Sequence, residues 1–242
     1  MPKPASPAPG GTLFVVATPL GNLSDITLRA IDVLKSVGAI AAEDTRRTRK
    51  LLSHFEIRTP LVPYHEHNEE SAARRIVERL KRGGDVALVS DAGTPLIADP
   101  GYSLVTLAAR EGIEVVPIPG PSAVATAVSV AGLPPLPFYF AGFLPRRSSA
   151  RKTKLRELSE LRATLAFYES PHRIASSLAD MAEVLGDREA AVARELTKIH
   201  EEVIRGRLHE LAEAAGERSW KGEMVVLVAG SAARRRKRDG PS

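Results

Sequence analysis

DVALVSDAGTP (Asp85–Pro95) is the segment on which the reading of the fold turns. Asp85–Ser90 is a short apolar run without polar alternation, the pattern of a strand covered on both faces. It stops at Asp91-Ala92-Gly93-Thr94-Pro95, an acidic turn, and a helical pattern near 101–111 follows. The same order recurs on either side. Upstream, Thr12–Ala17, Ala39–Ala42 and Leu61–Tyr64 read as strands. They alternate with helices over 26–37 (started by Ser24 and Asp25), after Thr45, and over 71–83. Downstream comes the strand EVVPI (114–118), then Pro119-Gly120-Pro121-Ser122 and the helix AVATAVSVAG (123–132). Strands alternating with helices predict an α/β domain with a mainly parallel sheet.

Gly132-Leu133-Pro134-Pro135-Leu136-Pro137 interrupts this pattern, and a domain boundary is expected there. The expectation is an N-terminal α/β domain over 11–133 and a C-terminal α/β domain over 137–230. In the second, Phe138–Phe143 and Thr164–Tyr168 read as strands, 174–185 as a helix, and AAVARE and EEVIRG as an antiparallel pair. HELAEAAG and EMVVLVAG close a mixed sheet. Residues 1–10 and the basic tail 231–242, with Arg234–Arg238, read as disordered.

The 242 residues, 43% hydrophobic and 26% charged, are of globular composition. No apolar run approaches the roughly 20 residues that span a bilayer, and MPKPASPAPGG has no apolar signal core. No membrane partner is expected, and a cytoplasmic location is compatible with this. Cysteine is absent, which excludes disulfides, thiolate metal sites and cysteine nucleophiles. Residues 1–135 balance at 14 basic and 14 acidic side chains, so the net charge of +5 comes from the second half. Local basic clusters therefore argue for a nucleic-acid partner better than the total does.

In open α/β sheets, ligands bind beyond the carboxyl ends of the strands. Those ends here are Thr18–Asn22, Glu43–Arg46, His65–His67, Ser90–Pro95 and Pro119–Ser122. No G-x-G-x-x-G follows the first strand and no phosphate loop occurs, which disfavours a dinucleotide or nucleoside triphosphate. A nucleoside ligand without a phosphate chain fits better. His65 and His67 share one face of an extended segment, but two ligands do not make a metal site, and none is expected. Arg46, Arg47, Arg49 and Lys50 beside Glu43 and Asp44 offer a polyanion surface next to a proton acceptor. The run Arg146, Arg147, Arg151, Lys152, Lys154, Arg156 has no acid and suits phosphate. Tyr168 offers a stacking surface, with Glu169 and Arg173 facing a cleft between the domains.

Seven strings are jointly specific: ATPLGNLSDITLRA (17–30), AEDTRRTRKLL (42–52), YHEHNE (64–69), SDAGTPLIADPGY (90–102), PIPGPSA (117–123), FYESPHRI (167–174) and ARELTKIHEE (193–202). In this order they resemble the 2′-O-methyltransferases of small-subunit ribosomal RNA, within the tetrapyrrole-methylase class of S-adenosylmethionine enzymes. The resemblance covers about 11–230; position 47 is Arg where His is often found. It implies two α/β domains with the methyl donor in the cleft between them, a homodimer, and methylation of cytidine 1402 in 16S ribosomal RNA. It places the donor, S-adenosylmethionine, against Pro19, Ser90, Asp91, Ala92, Gly93, Thr94, Ser122, Ala123 and Tyr168. Glu43, Asp44 and Glu169 are then candidate proton acceptors, which the sequence does not rank, with Lys198 or Arg173 polarising the hydroxyl or holding phosphate. A tetrapyrrole or protein acceptor, or a non-catalytic RNA-binding assembly module, are the competing readings. The basic runs speak against the first, and the nucleoside-like strand ends against the last.

Overall fold

The computed structural model describes residues 10–231. The expected tails therefore lie outside the described residues, Gly10 and Ser231 apart. The chain divides into two compact units between Ser122 and Ala123.

The first unit holds β1 (Leu13–Val16), β2 (Ala39–Ala42), β3 (Leu61–Pro63), β4 (Val86–Val89) and β5 (Val115–Ile118), in the order β3-β2-β4-β1-β5. Every pairing is parallel. α1 (Leu28–Ser36), α2 (Thr45–His54), α3 (Glu69–Lys81) and α4 (Tyr102–Arg110) connect them. β2 and β4 are buried at all positions, because the period-two alternation sends both sets of side chains into a core. Val86 and Leu88 pack with Ile76 and Leu80 of α3 and Leu104 of α4. Ala87 and Val89 pack on the other face with Leu34 of α1 and Leu52 of α2.

Helix starts differ from expectation by a few residues. Thr27 caps α1, accepting from the Ala30 amide at 3.1 Å, while Ser24 and Asp25 lie in a single 3₁₀ turn capped by Asn22. Asp44, not Thr45, caps α2 by accepting from the Arg46 amide at 2.8 Å. Both are Asx/Thr caps of the ordinary kind. Adjacent polar residues compete for the cap, and the one in extended conformation immediately before the first helical residue takes it, as Thr27 and Asp44 do.

The second unit holds α5 (Ala123–Val130), β6 (Phe138–Phe143), α6 (Ser148–Leu158), β7 (Thr164–Glu169), α7 (Ile174–Leu185), β8 (Glu189–Arg194), β9 (Glu202–Arg207), α8 (Leu208–Gly216) and β10 (Met224–Val228). Its sheet runs β6-β7-β10-β8-β9. β6 and β7 are parallel; the other neighbours are antiparallel, including the expected β8–β9 pair. The division precedes the proline segment because α5 packs against β7 and β10. α5 is apolar along most of its length, and Arg205 on β9 donates from Nε to the Ala131 carbonyl at 3.1 Å and from Nη2 to Val130. A cation on the last carbonyls of a helix satisfies its open acceptors and its dipole.

Candidate active site

The order β3-β2-β4-β1-β5 reverses direction at the β4–β1 junction, the place where open α/β sheets form a crevice beyond their carboxyl ends. Three loops meet there and are tied together. Thr18 and Gly93 exchange backbone hydrogen bonds, both at 2.9 Å, which joins the loop after β1 to the loop after β4. Thr18 also donates its hydroxyl to the Ser90 carbonyl at 3.2 Å. Thr94 donates to the Pro121 carbonyl at 3.1 Å, joining the loop after β5. Ser90 is buried and its hydroxyl faces the Ala92 and Gly93 carbonyls.

Side chains are excluded where the loops come closest. Gly93 has φ +82°, and a Cβ there would lie 3.2 Å from Leu20. A Cβ on Gly120 would meet that of Ala17 at 3.0 Å. The positive φ is the reason for glycine at 93, and the near contact the reason at 120.

Glu43 and Asp44, at the end of β2, differ in what surrounds them. Asp44 accepts from the Arg46 amide and guanidinium, which hold its carboxyl below the usual range. Asp91 accepts from the Asp44 amide at 3.0 Å and pairs with Arg47 at 3.3 Å. Glu43 is pushed up to about 7, first by burial, then by the charges of Asp99 and Asp91; Arg47 opposes and Asp44 adds a smaller push. A carboxyl that titrates near neutrality is matched to proton transfer.

Asp99, whose charge acts on Glu43, has no motif of its own in the sequence. It sits in a loop where Leu96 (φ 71°) and Ala98 (φ 67°) adopt the left-handed region, a conformation that costs about 1–3 kcal/mol per residue and is found where function demands it. Glu69 anchors the far end of this loop, accepting from Gly101 and Ser103 amides and the Tyr64 hydroxyl at 3.0–3.3 Å. The one sequence signal was the acid within the quoted string 90–102. Among the described residues no three His, Asp or Glu side chains cluster so as to hold a metal ion, and no helix is long and apolar enough to cross a membrane.

The remaining expected residues lie in the second unit. Tyr168 packs edge-on against Phe140 and Phe143, with ring centres 4.7 and 5.6 Å away. Glu169 is 2% exposed. Its two oxygens accept from the Ser170 amide at 2.8 Å and the Ser177 hydroxyl at 2.5 Å, with Arg173 at 3.4 Å. These partners make Glu169 an internal anchor of the β7–α7 turn. Lys198 bonds Glu195 at 2.8 Å and Glu223 at 3.1 Å; burial opposes its charge, but the two acids hold it above its ordinary value.

Among the basic residues, Arg46, Arg47, Arg49, Lys50, Arg146 and Arg147 are exposed. Arg151 is not. It is 3% exposed and paired with Asp180 at 2.6 Å, so the expectation of a phosphate contact there is corrected to an internal ion pair. Lys152 pairs with Glu183 at 2.6 Å and Lys154 with Glu157 at 2.8 Å. A run without acids in sequence thus meets acids from the next helical turn and from α7.

Residues 12–212 match the family of tetrapyrrole (corrin/porphyrin) methylases. The chain is 55% identical over 221 residues to ribosomal RNA small subunit methyltransferase I of Vibrio cholerae serotype O1, covering 90% of this chain and 77% of that protein. It is 53% identical to the protein of the same name from Halalkalibacterium halodurans, covering 91% and 76%. Among solved structures, the methyltransferase CobJ (TM-score 0.68, 21% identity, 93% and 96% covered) and diphthine synthase (0.67, 18%, 92% and 92%) share the fold. The order of parallel strands, the mixed second sheet and these likenesses agree: the chain belongs to the tetrapyrrole (corrin/porphyrin) methylase family and groups within it with the relatives named ribosomal RNA small subunit methyltransferase I.

Proposed function

We propose that this chain transfers a methyl group from S-adenosylmethionine to the ribose 2′-hydroxyl of a cytidine, position 1402, in the 16S RNA of the small ribosomal subunit. The observation that carries the reading is Glu43, a carboxyl titrating at about 7 beside three tied loops, in a chain more than half identical to ribosomal RNA methyltransferases.

The residues at the carboxyl edge of the first sheet fit a cationic nucleoside. Asp44, Asp91 and Asp99 outnumber Arg46 and Arg47 there, which suits a sulfonium and repels a phosphate chain. The loops around Gly93 and Gly120 offer backbone groups for a base and ribose without side-chain obstruction. Bound S-adenosylmethionine supplies an already activated methyl carbon, so the protein's contribution is alignment and proton removal.

Glu43 accepts the proton of the 2′-hydroxyl as its oxygen forms the new bond to carbon. Asp91 and Asp99 keep Glu43 basic enough to do so near neutrality. Arg46, Arg49 and Lys50, exposed on α2, hold phosphates of the RNA, and in the second unit the exposed Arg146 and Arg147 are suited to phosphate contacts of their own. The enzyme acts in the cytoplasm as a homodimer. Support for the dimer comes from exposed Leu136, Phe138, Tyr139 and Phe143 on and beside β6, an edge strand whose apolar side chains call for cover.

Methyl transfer from labelled donor to small subunits lacking the modification, with the product nucleoside identified by mass spectrometry, tests this. The expected product is 2′-O-methylcytidine. A methylated base, or donor binding without labelled RNA, assigns the wrong acceptor. A second expectation concerns the donor loops. Gly93→Val forces a branched side chain into positive φ and against Leu20, so calorimetry should find donor affinity reduced by about tenfold or more, on the scale of 1–3 kcal/mol of loop strain. An unchanged Kd would remove the Gly93 loop from the donor site.

A further inference from the structure

The turn between β6 and α6 is held in an unusual way. Arg173, at the start of α7, donates from Nη2 to the carbonyls of Leu144 at 2.8 Å and Pro145 at 3.2 Å. Arg151, on α6, donates from Nη1 to the carbonyl of Arg146 at 3.3 Å. Two guanidinium groups thus occupy three consecutive carbonyls of one turn.

The Arg151 guanidinium is hydrogen-bonded to a buried carboxylate, and that of Arg173 faces another at ion-pair distance, without a hydrogen bond from its Nε. Arg151 pairs with Asp180 at 2.6 Å, and Asp180 also accepts from the Ser148 hydroxyl at 3.0 Å. Arg173 lies 3.4 Å from Glu169, whose oxygens are further bound by Ser170 and Ser177. Arg151 donates additionally to the Ser176 carbonyl at 3.4 Å. The turn ends in Arg146 and Arg147, both exposed, with Arg147 immediately before the first residue of α6.

Burying such ion pairs costs several kcal/mol of desolvation each, and apolar packing stabilises a turn as well or better. What a forked guanidinium adds is fixed geometry toward several acceptors at once. We infer that Arg151 and Arg173 are positioning residues: they hold 144–147 rigid so that Arg146 and Arg147 meet two RNA phosphates as a preset pair. The inference rests on the RNA reading above and divides the basic segment by role. A turn ordered in advance spares the ordering cost on binding, and phosphate contacts set the register of the RNA on the protein.

The test uses the full chain with saturating donor, small-subunit RNA varied, and several salt concentrations. The double variant Arg146→Gln/Arg147→Gln should raise KM for RNA about tenfold, and should flatten the log–log salt dependence by about 1.4, near 0.7 per lost single-strand phosphate contact. Arg173→Lys keeps the charge and loses the fork. It should raise KM about three- to tenfold, with the salt slope as in the parent and the effect on KM rather than kcat. Arg151→Lys is the parallel variant; should it fail to fold, Arg173→Lys carries the test alone.

Parent-like KM and salt slope in the double variant, with the parent enzyme active on RNA, would overturn the phosphate role of the turn. A lowered melting temperature in Arg173→Lys with parent-like KM would reduce the clamp to a structural role and overturn the positioning role. Absence of RNA methylation and RNA binding in the parent itself sinks the RNA reading, and this inference with it.

Discussion

Glu43→Gln should lower single-turnover methyl transfer by about 10²–10⁴, the range for removing a positioned general base, while donor affinity stays within a few-fold. The parent rate should rise with pH through about 7, where Glu43 loses its proton, and the variant should lack that limb. A stability signature accompanies the kinetic one. Burial and the nearby acids raise Glu43 in the folded protein above its ordinary value of 4.5. Between roughly 4.5 and 7 the folded state therefore binds more protons than the unfolded chain, and stability falls as pH rises. Gln cannot ionise. The variant should melt higher than the parent at pH 8, on the order of a few degrees for a chain of this size, and at the same temperature below pH 4.5. Slower transfer combined with higher stability separates a strained functional carboxyl from a structural one. Asp44→Ala is the contrast: it removes the oxygen that caps α2 along with the pair to Arg46, so stability should fall by about 1 kcal/mol, the usual worth of a helix cap. An unchanged transfer rate in Glu43→Gln would assign the proton elsewhere.

The largest stability effect is expected from Asp180→Ala. Arg151 is 3% exposed and Asp180 7%, and Arg151 has no other carboxylate within ion-pair distance among the described residues. Removing one partner of a buried pair costs about 3–5 kcal/mol, because the remaining charge is left uncompensated. At roughly 2–4 °C per kcal/mol for this chain length, the melting temperature should fall by roughly 10 °C. Arg151→Met combined with Asp180→Leu should recover most of the loss, since the pair is replaced by apolar groups of similar volume. Calorimetric melting of the three proteins tests this. A fall of under about 2 °C in Asp180→Ala would mean that water already screens the pair.

Both predictions concern residues whose roles the sequence left undivided. Glu43, Asp44 and Glu169 all follow apolar strands and all carry a carboxyl. Their chemistry differs through partners that arrive from elsewhere: the α2 amides for Asp44, the β7–α7 turn and Ser177 for Glu169, and Asp91 and Asp99 for Glu43. Asp99 comes from a loop more than fifty residues away from Glu43, so no local pattern could pair them. Arg151 reads as one cation in an acid-free run, yet Asp180 meets it from α7.

What the sequence by itself determined is the alternation of strands and helices and its α/β layering, with a parallel first sheet and a mixed second one. Apolar runs of three to six residues bounded by Gly, Pro and acids, many rich in β-branched residues, are too short for a helix and suit a strand covered on one or both faces. The alternation with amphipathic helices makes the first sheet parallel, and two strands in quick succession, β8 and β9, make part of the second antiparallel. The seven strings established the family for the same reason: strand-end loops carry function and leave a local trace. Strand order, the assignment of α5 to the second unit, the choice of helix caps, and the sorting of acids and arginines into buried anchors and exposed or titrating groups were decided only by tertiary structure. Apolar strands pair with any similar neighbour, and the free energy of a charge depends on burial and on partners distant in the chain. Those quantities exist only once the chain has folded.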